Sequence, residues 1–199
     1  MKKILYLILF IPSICLAQTK NDLLYLIDKF PVDKGGNVDF CIMDSINDVS
    51  QETIHTKAIQ AIGHFFKDTP SPAVPLFVEK DNAIVYRGRF GRYERAKKTF
   101  STVLHTYIYR FTLKIKYNDN KYKIDIYDIS ESENNITTDL SDLLNKDYYI
   151  KANLSSNSIK TKYNSIYFIY NYLTNKIYSI NQYMKATEKK SGKEIKQPR

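Results

Sequence analysis

The chain has 199 residues, a net charge of +9 from 30 Lys and Arg against 21 Asp and Glu, 17 tyrosines and no tryptophan. That length supports one domain with a single buried core. With two cysteines, the composition excludes a disulfide-stapled mini-scaffold.

Residues 1–17 have the zones of a secretory signal peptide. Lys2 and Lys3 form the charged start, and Ile4 to Ile11 is an unbroken apolar run. Pro12 and Ser13 break it, and Cys15-Leu16-Ala17 offers small residues for cleavage. The run is too short for a membrane anchor, which needs roughly 20 apolar residues. Ile14 stands where lipoprotein processing requires a small residue, so cleavage is expected after Ala17. Cys15 then leaves with the signal and Cys41 has no intramolecular partner. The expected destination is the periplasm or cell surface, as a soluble protein.

Loss of Lys2 and Lys3 lowers the charge to +7, and the remainder is uneven. Arg87 to Lys98 carries +5 and the tail from Lys185 onward carries +4, so the rest of the chain is slightly acidic. Such clusters bind nucleic acid, anionic lipid or acidic glycan. Export makes nucleic acid the weakest of these. A solvated loop and tail without a dedicated anion is the plainer expectation for both clusters, and residues 189–199 read as a disordered basic tail.

In chain order, Asn21 to Phe30 predicts a short amphipathic helix capped by Asn21 and ended by Pro31, within an N-terminal segment 18–37. Val38 to Met43 alternates as a strand. Ser50 caps a helix whose Ile54, Ala58, Ala61, Ile62, Phe65 and Phe66 share a face. His55 and His64 project from it in opposite directions and cannot share a metal. Ala73 to Glu79 and Ala83 to Arg89 predict strands joined at Asp81-Asn82. Gly88 and Gly91 read as a bend at the end of a strand, not a phosphate loop.

Thr102 to Tyr117 alternates strictly. With Asp119-Asn120 as a two-residue turn, Tyr117 opposes Tyr122, Ile115 opposes Ile124, and Leu113 opposes Ile126. Lys114 then opposes Asp125 on the outer face, and His105 reads as a hydrogen-bonded rim residue. The same count places Asp128 on the apolar face opposite Phe111, where a carboxylate would need a partner. Residues 130–141 read as a polar loop, with a short helix over 139–146. The seam Ile159, Tyr163, Ile166, Tyr170, Leu173, Ile177, Ile180 and Met184 predicts a long helix laid on the sheet, with a homodimer through Ile159–Met184 as the competing reading.

Val38–Met43, the helix from Ile54 to Phe66, the Tyr86-Arg87-Gly88-Arg89 strand end and the hairpin Tyr109–Ile126 together resemble an exported Bacteroidota family. That family is a domain of unknown function with a TATA-binding-protein-like (TBP-like) fold. The resemblance spans about residues 38–129, with 130–188 as a loop and the long helix. It implies an α+β fold, β-α-β-β-β-β-α, with a curved antiparallel sheet of about five strands and helices on one face. It brings no activity, and the fold name gives no licence for DNA binding.

No catalytic residue, metal or cofactor is assigned, because no nucleophile elbow, paired-histidine motif or Cys–His pairing is present. The expected function is a non-catalytic binding or assembly module of the cell envelope, taking a protein, peptide or anionic glycan. Its expected surface comprises Arg87, Arg89, Arg92, Arg95, Lys97 and Lys98, together with Arg110 and Tyr127. A hydrolase lacking a known motif and a membrane-surface protein are the alternatives.

Overall fold

The computed structural model describes residues 19–66, 78–79, 81–98, 101–133 and 136–186. The expected signal peptide, the start of the Ala73–Glu79 strand and the basic tail 189–199 lie outside the described residues.

Helix α1 spans Lys20–Ile27 and starts earlier than Asn21 would allow. Thr19 is its cap: Thr19 Oγ1 accepts from the Asp22 backbone N–H, and the Asp22 carboxylate accepts from the Thr19 N–H. This reciprocal box satisfies two orphan donors where Asn21 would satisfy one. Strand β1 is Phe40–Ser45, two residues beyond the expected span. Val38 instead bridges back to Val32 across a turn in which Gly36 adopts φ +82°. Helix α2, Gln51–Phe66, begins as expected, with Ser50 Oγ accepting from the Thr53 N–H.

Strand β2 is Val78–Glu79 and β3 is Ala83–Lys98. Asp81 and Asn82 between them take φ of +50° and +54°, the left-handed pair of a tight hairpin. β3 continues nine residues past the expected end at Arg89, so the basic stretch is strand and not loop. It pairs with β4, Ser101–Asn118, from Ala83↔Lys116 through Lys98↔Ser101. Long basic side chains do not interrupt a strand whose outer face is wet. Gly88 lies within this ladder opposite Phe111, where a Cβ would come within 2.2 Å of the ring. Glycine is there because the Tyr86 and Phe111 rings close over that position.

Strand β5, Lys121–Glu133, pairs with β4 in the expected register, Tyr117↔Tyr122 through Leu113↔Ile126. The register then shifts: Thr112 opposes Tyr127, but Arg110 opposes Ser130. Two residues of β5 face one of β4 here, a β-bulge, and Asp128 within it has φ +50°. The bulge reverses the side-chain parity. Asp128 turns out to solvent, and Ile129 takes the buried position expected of it.

The expected polar loop is largely strand. β5 runs to Glu133, and β6, Ile136–Asp139, pairs back along it, with Ser132 and Thr137 hydroxyls 2.9 Å apart. Short helices α3 (Leu140–Leu143) and α4 (Lys146–Lys151) lead to the long α5, Ser156–Lys185.

The sheet order is β1-β5-β4-β3-β2, with β6 paired to β5 and every pairing antiparallel. α1, α2 and α5 pack on one face. Ile54, Ala58 and Ile62 of α2 and Ile169, Leu173 and Ile177 of α5 join Ile84, Leu113, Ile115, Ile124 and Ile126 of the sheet in one buried cluster. Full burial of each such side chain contributes about 1.5–3 kcal/mol. Of the α5 seam, Ile166, Leu173, Ile177, Ile180 and Met184 are buried within this chain, and Ile159, Tyr163 and Tyr170 are half-buried.

Two lysines hold α2 and α5 reciprocally. Lys57 of α2, itself buried, donates to the Met184 (3.3 Å) and Ala186 carbonyls at the end of α5. Lys176 of α5 donates to the Phe65 carbonyl at the end of α2, 3.0 Å away. Each ammonium meets the negative end of the other helix's dipole.

Candidate functional site

With the helices on one face, strand alternation sends every second side chain of β1, β3, β4 and β5 to the other. Among the described residues no element covers that outer face. It carries Arg87 and Arg89 from β3, Arg110, Lys114 and Lys116 from β4, and Lys123 from β5. Pairing sets Arg89 directly opposite Arg110 and Lys116 directly opposite Lys123. Arg110 donates to Ser132 Oγ at 3.1 Å. Tyr127 sits half-buried opposite Thr112, its phenol pushed up by burial and then by the Asp128 charge. It therefore remains a neutral hydrogen-bond donor at physiological pH.

The expected basic surface is thus divided. Arg87 and Arg89 join Arg110 on the outer face. Arg92 points to the helix face, where it pairs with Glu94, donates to Ser165 Oγ at 2.6 Å, and lies 5.8 Å from the Phe168 ring. It ties α5 to β3 and is not part of the surface. Arg95, Lys97 and Lys98 occupy the far end of β3, paired through the backbone with Leu104, Thr102 and Ser101. The lysines 114, 116, 121 and 123 belong to the surface and were not among the expected site residues. Lys114 and Lys116 share the parity of Arg110 along β4, and Lys123 and Lys121 stand opposite Lys116 and Asn118 in the hairpin register, which is the signal that finds them.

Three acids temper the basic field. Asp125 is buried in the outer face and, although Lys114 lies opposite in register, its ion pair is with Lys123, 2.7 Å away. Burial and the Asp125 charge raise the Asp39 carboxyl, and Asp128 stands at the bulge. Asp39, Asp125 and Asp128 line a concavity of about 280 Å³ with Lys114, Lys123 and Tyr127. A second hollow, of about 240 Å³, lies at the hairpin ends between Met43, Asn82, Lys116, Lys121 and Lys123. A third, of about 90 Å³, forms beside Gly91, between Arg89, Tyr93 and Ile108.

The exposed Cys41 thiol is pushed up by burial of its sulfur and by the Asp125 carboxylate, which disfavours the thiolate. His105 is hydrogen-bonded at the sheet rim, its Nδ1 3.1 Å from Glu133 Oε1. Among the described residues no group of three or more His, Cys, Asp or Glu is placed to hold a metal, and no helix is long and apolar enough to cross a membrane. What the face offers is charge, amide and hydroxyl donors, and exposed Tyr93 and Met43.

These features define a class: an α+β domain with its helices on one side of an antiparallel sheet and a basic, uncovered second side. No family model matches the sequence, and no curated protein matches it. Among solved structures, the chain is similar to a DUF4468 family protein from Bacteroides ovatus, at 14% identity and a TM-score of 0.61, covering 86% of this chain and 99% of that one. It is also similar to a TBP-like protein from Parabacteroides distasonis, at 15% identity and a TM-score of 0.49, covering 76% and 96%. The α+β sheet-and-helix fold that the sequence resemblance implied is thus the fold this chain shares with the DUF4468 family protein.

Proposed function

We propose that the protein is a non-catalytic binding module of the cell envelope whose uncovered sheet face takes an extended anionic glycan. The observation that carries this is the pair of like-charge oppositions on that face, Arg89↔Arg110 along β3 and β4 and Lys116↔Lys123 near the β4–β5 turn. Like charges directly opposite each other weaken a sheet. An anion lying across the strands would meet cations from both strands at once, and the arginine fork suits carboxylates in particular. The export expected from residues 1–17 favours a glycan over nucleic acid.

The test is retention of the protein on immobilised polygalacturonate, with dextran as the neutral control. The wild type is expected to bind polygalacturonate, to release as salt is raised, and to ignore dextran. An R87Q/R110Q/K114Q variant, changed only at side chains on the wet face, is expected to elute at clearly lower salt. Equal retention of variant and wild type, or no retention of either, overturns the reading. Retention on an acidic peptide instead would reassign the ligand class. N-terminal sequencing of protein from the producing cell's envelope fraction is expected to begin at Gln18.

A further inference from the structure

The hollow at the hairpin ends differs in chemistry from the arginine end of the same face. Its charged lining is Lys116, Lys121 and Lys123 against a single acid, Asp81. Lys116 stands directly opposite Lys123, and Lys121 lies two residues earlier, at the start of β5, opposite Asn118. Neighbouring strands are about 4.8 Å apart and alternate residues of a strand about 6.7 Å apart. Three flexible four-carbon stems rooted at that spacing can bring their ammonium groups onto one anion. Lys123 is shared with Asp125 at 2.7 Å, whereas Lys116 and Lys121 are exposed.

The wall is held in place. Asn82, locked in the left-handed turn, accepts from Gln51 Nε2 at 2.9 Å, and its own amide reaches Asn118 Oδ1 at 3.5 Å. Asp119 accepts from the Gln51 N–H, and Asn120 accepts from the Val49 N–H, each at 2.9 Å. Both hairpin turns are thereby fastened to the start of α2. On the side towards β1, Met43 supplies an apolar surface that is 73% exposed.

We infer that this hollow is a subsite for the phosphoryl group of a phosphomonoester. It rests on the binding-face reading above and gives one end of that face its ligand chemistry. Lysine binds as a point charge with three donors, which suits a tetrahedral group carrying close to two negative charges and three acceptor oxygens. A carboxylate is better matched by the planar arginine fork at the opposite end. The Met43 thioether lies where the carbon part of an ester would rest, which favours an ester over free phosphate. Such an ester reaches the site either as a soluble sugar phosphate or as a lipid headgroup.

Met43 and Met184 serve as reporter and control, since Met43 lines the hollow and Met184 is fully buried near the end of α5. In the intact chain with methyl-labelled methionine, glucose 1-phosphate is expected to shift the Met43 methyl resonance saturably and leave Met184 still; glucose is expected to move neither. K116Q/K121Q should weaken that titration by about tenfold or more, the scale of losing charge-assisted hydrogen bonds. K116R/K121R should restore it, which separates charge from folding. An unmoved Met43 signal, or an unchanged midpoint in K116Q/K121Q, overturns the subsite. Vesicles containing phosphatidic acid form the second arm. Lysine-dependent vesicle binding identifies a headgroup as the source, and saturation by the soluble ester without vesicle binding identifies the sugar phosphate. R87Q/R110Q should leave the Met43 titration unchanged, so failure on polygalacturonate and failure here are separate results.

Discussion

Asp128 shows how much one residue can decide in a sheet. By simple counting it falls on the apolar face, an expensive place for a carboxylate. With φ +50° it opens a bulge, and the two-against-one pairing carries it to solvent and delivers Ile129 to the core. Aspartate tolerates the left-handed region, whereas a β-branched residue does not. Asp128→Val is therefore expected to destabilise the fold by about 1–2 kcal/mol. Asp128→Gly should fall within about 0.5 kcal/mol of wild type, because glycine adopts the conformation freely. Urea denaturation of the two variants checks this. Similar losses in both would mean that the carboxylate and not the backbone matters there.

Among the elements, β3 and α5 depart most from or add most to the sequence reading. β3 was legible as a strand only to Arg89, since the run Arg92 to Lys98 is mostly charged, with Tyr93 and Ala96 alone between the charges. Its partner β4 supplies the template, and a two-strand ladder needs only one apolar face. For α5 the apolar seam was legible in full, but the lysines that fix its ends were not. Lys57 reaches carbonyls 127 and 129 residues away in sequence. Lys57→Met is expected to lower stability by about 1–3 kcal/mol, since it leaves the buried end of α5 without its donor. Hydrogen exchange should rise first over the last turn of α5. A uniform change across the chain would count against a local cap.

For the whole molecule, tyrosine sets the alkaline limit. Burial pushes the phenols of Tyr149 and Tyr172 up to about 12, and that of Tyr107 up to about 12 with help from Glu133. Burial also raises Tyr109 and Tyr122, the latter hydrogen-bonded to Asn181. The unfolded chain releases these protons near pH 10, before the folded one does. Stability from these groups is full below pH 10 and is lost as pH rises from 10 to 12. Denaturation followed by tyrosinate absorbance should show cooperative unfolding in that window. Independent titration of all tyrosines near pH 10 without unfolding would contradict the buried phenols.

Strand periodicity, turn chemistry and the helical seam were enough to determine the antiparallel hairpin, its register, the α+β class and the long helix on one face. Each is written in local spacing: two residues for a strand, 3.6 for a helix, and a turn pair that sets the count. The candidate site is not local in that sense. Lys116 opposite Lys123 already follows from the hairpin register, but Arg89 meets Arg110 only through the β3–β4 ladder, which runs past the strand end that the sequence marks at Arg89. Arg92 leaves the cluster for the helix face because strand alternation divides what the sequence lists together. Which cations share a surface follows from the pleat and the register, so only the tertiary structure decides it.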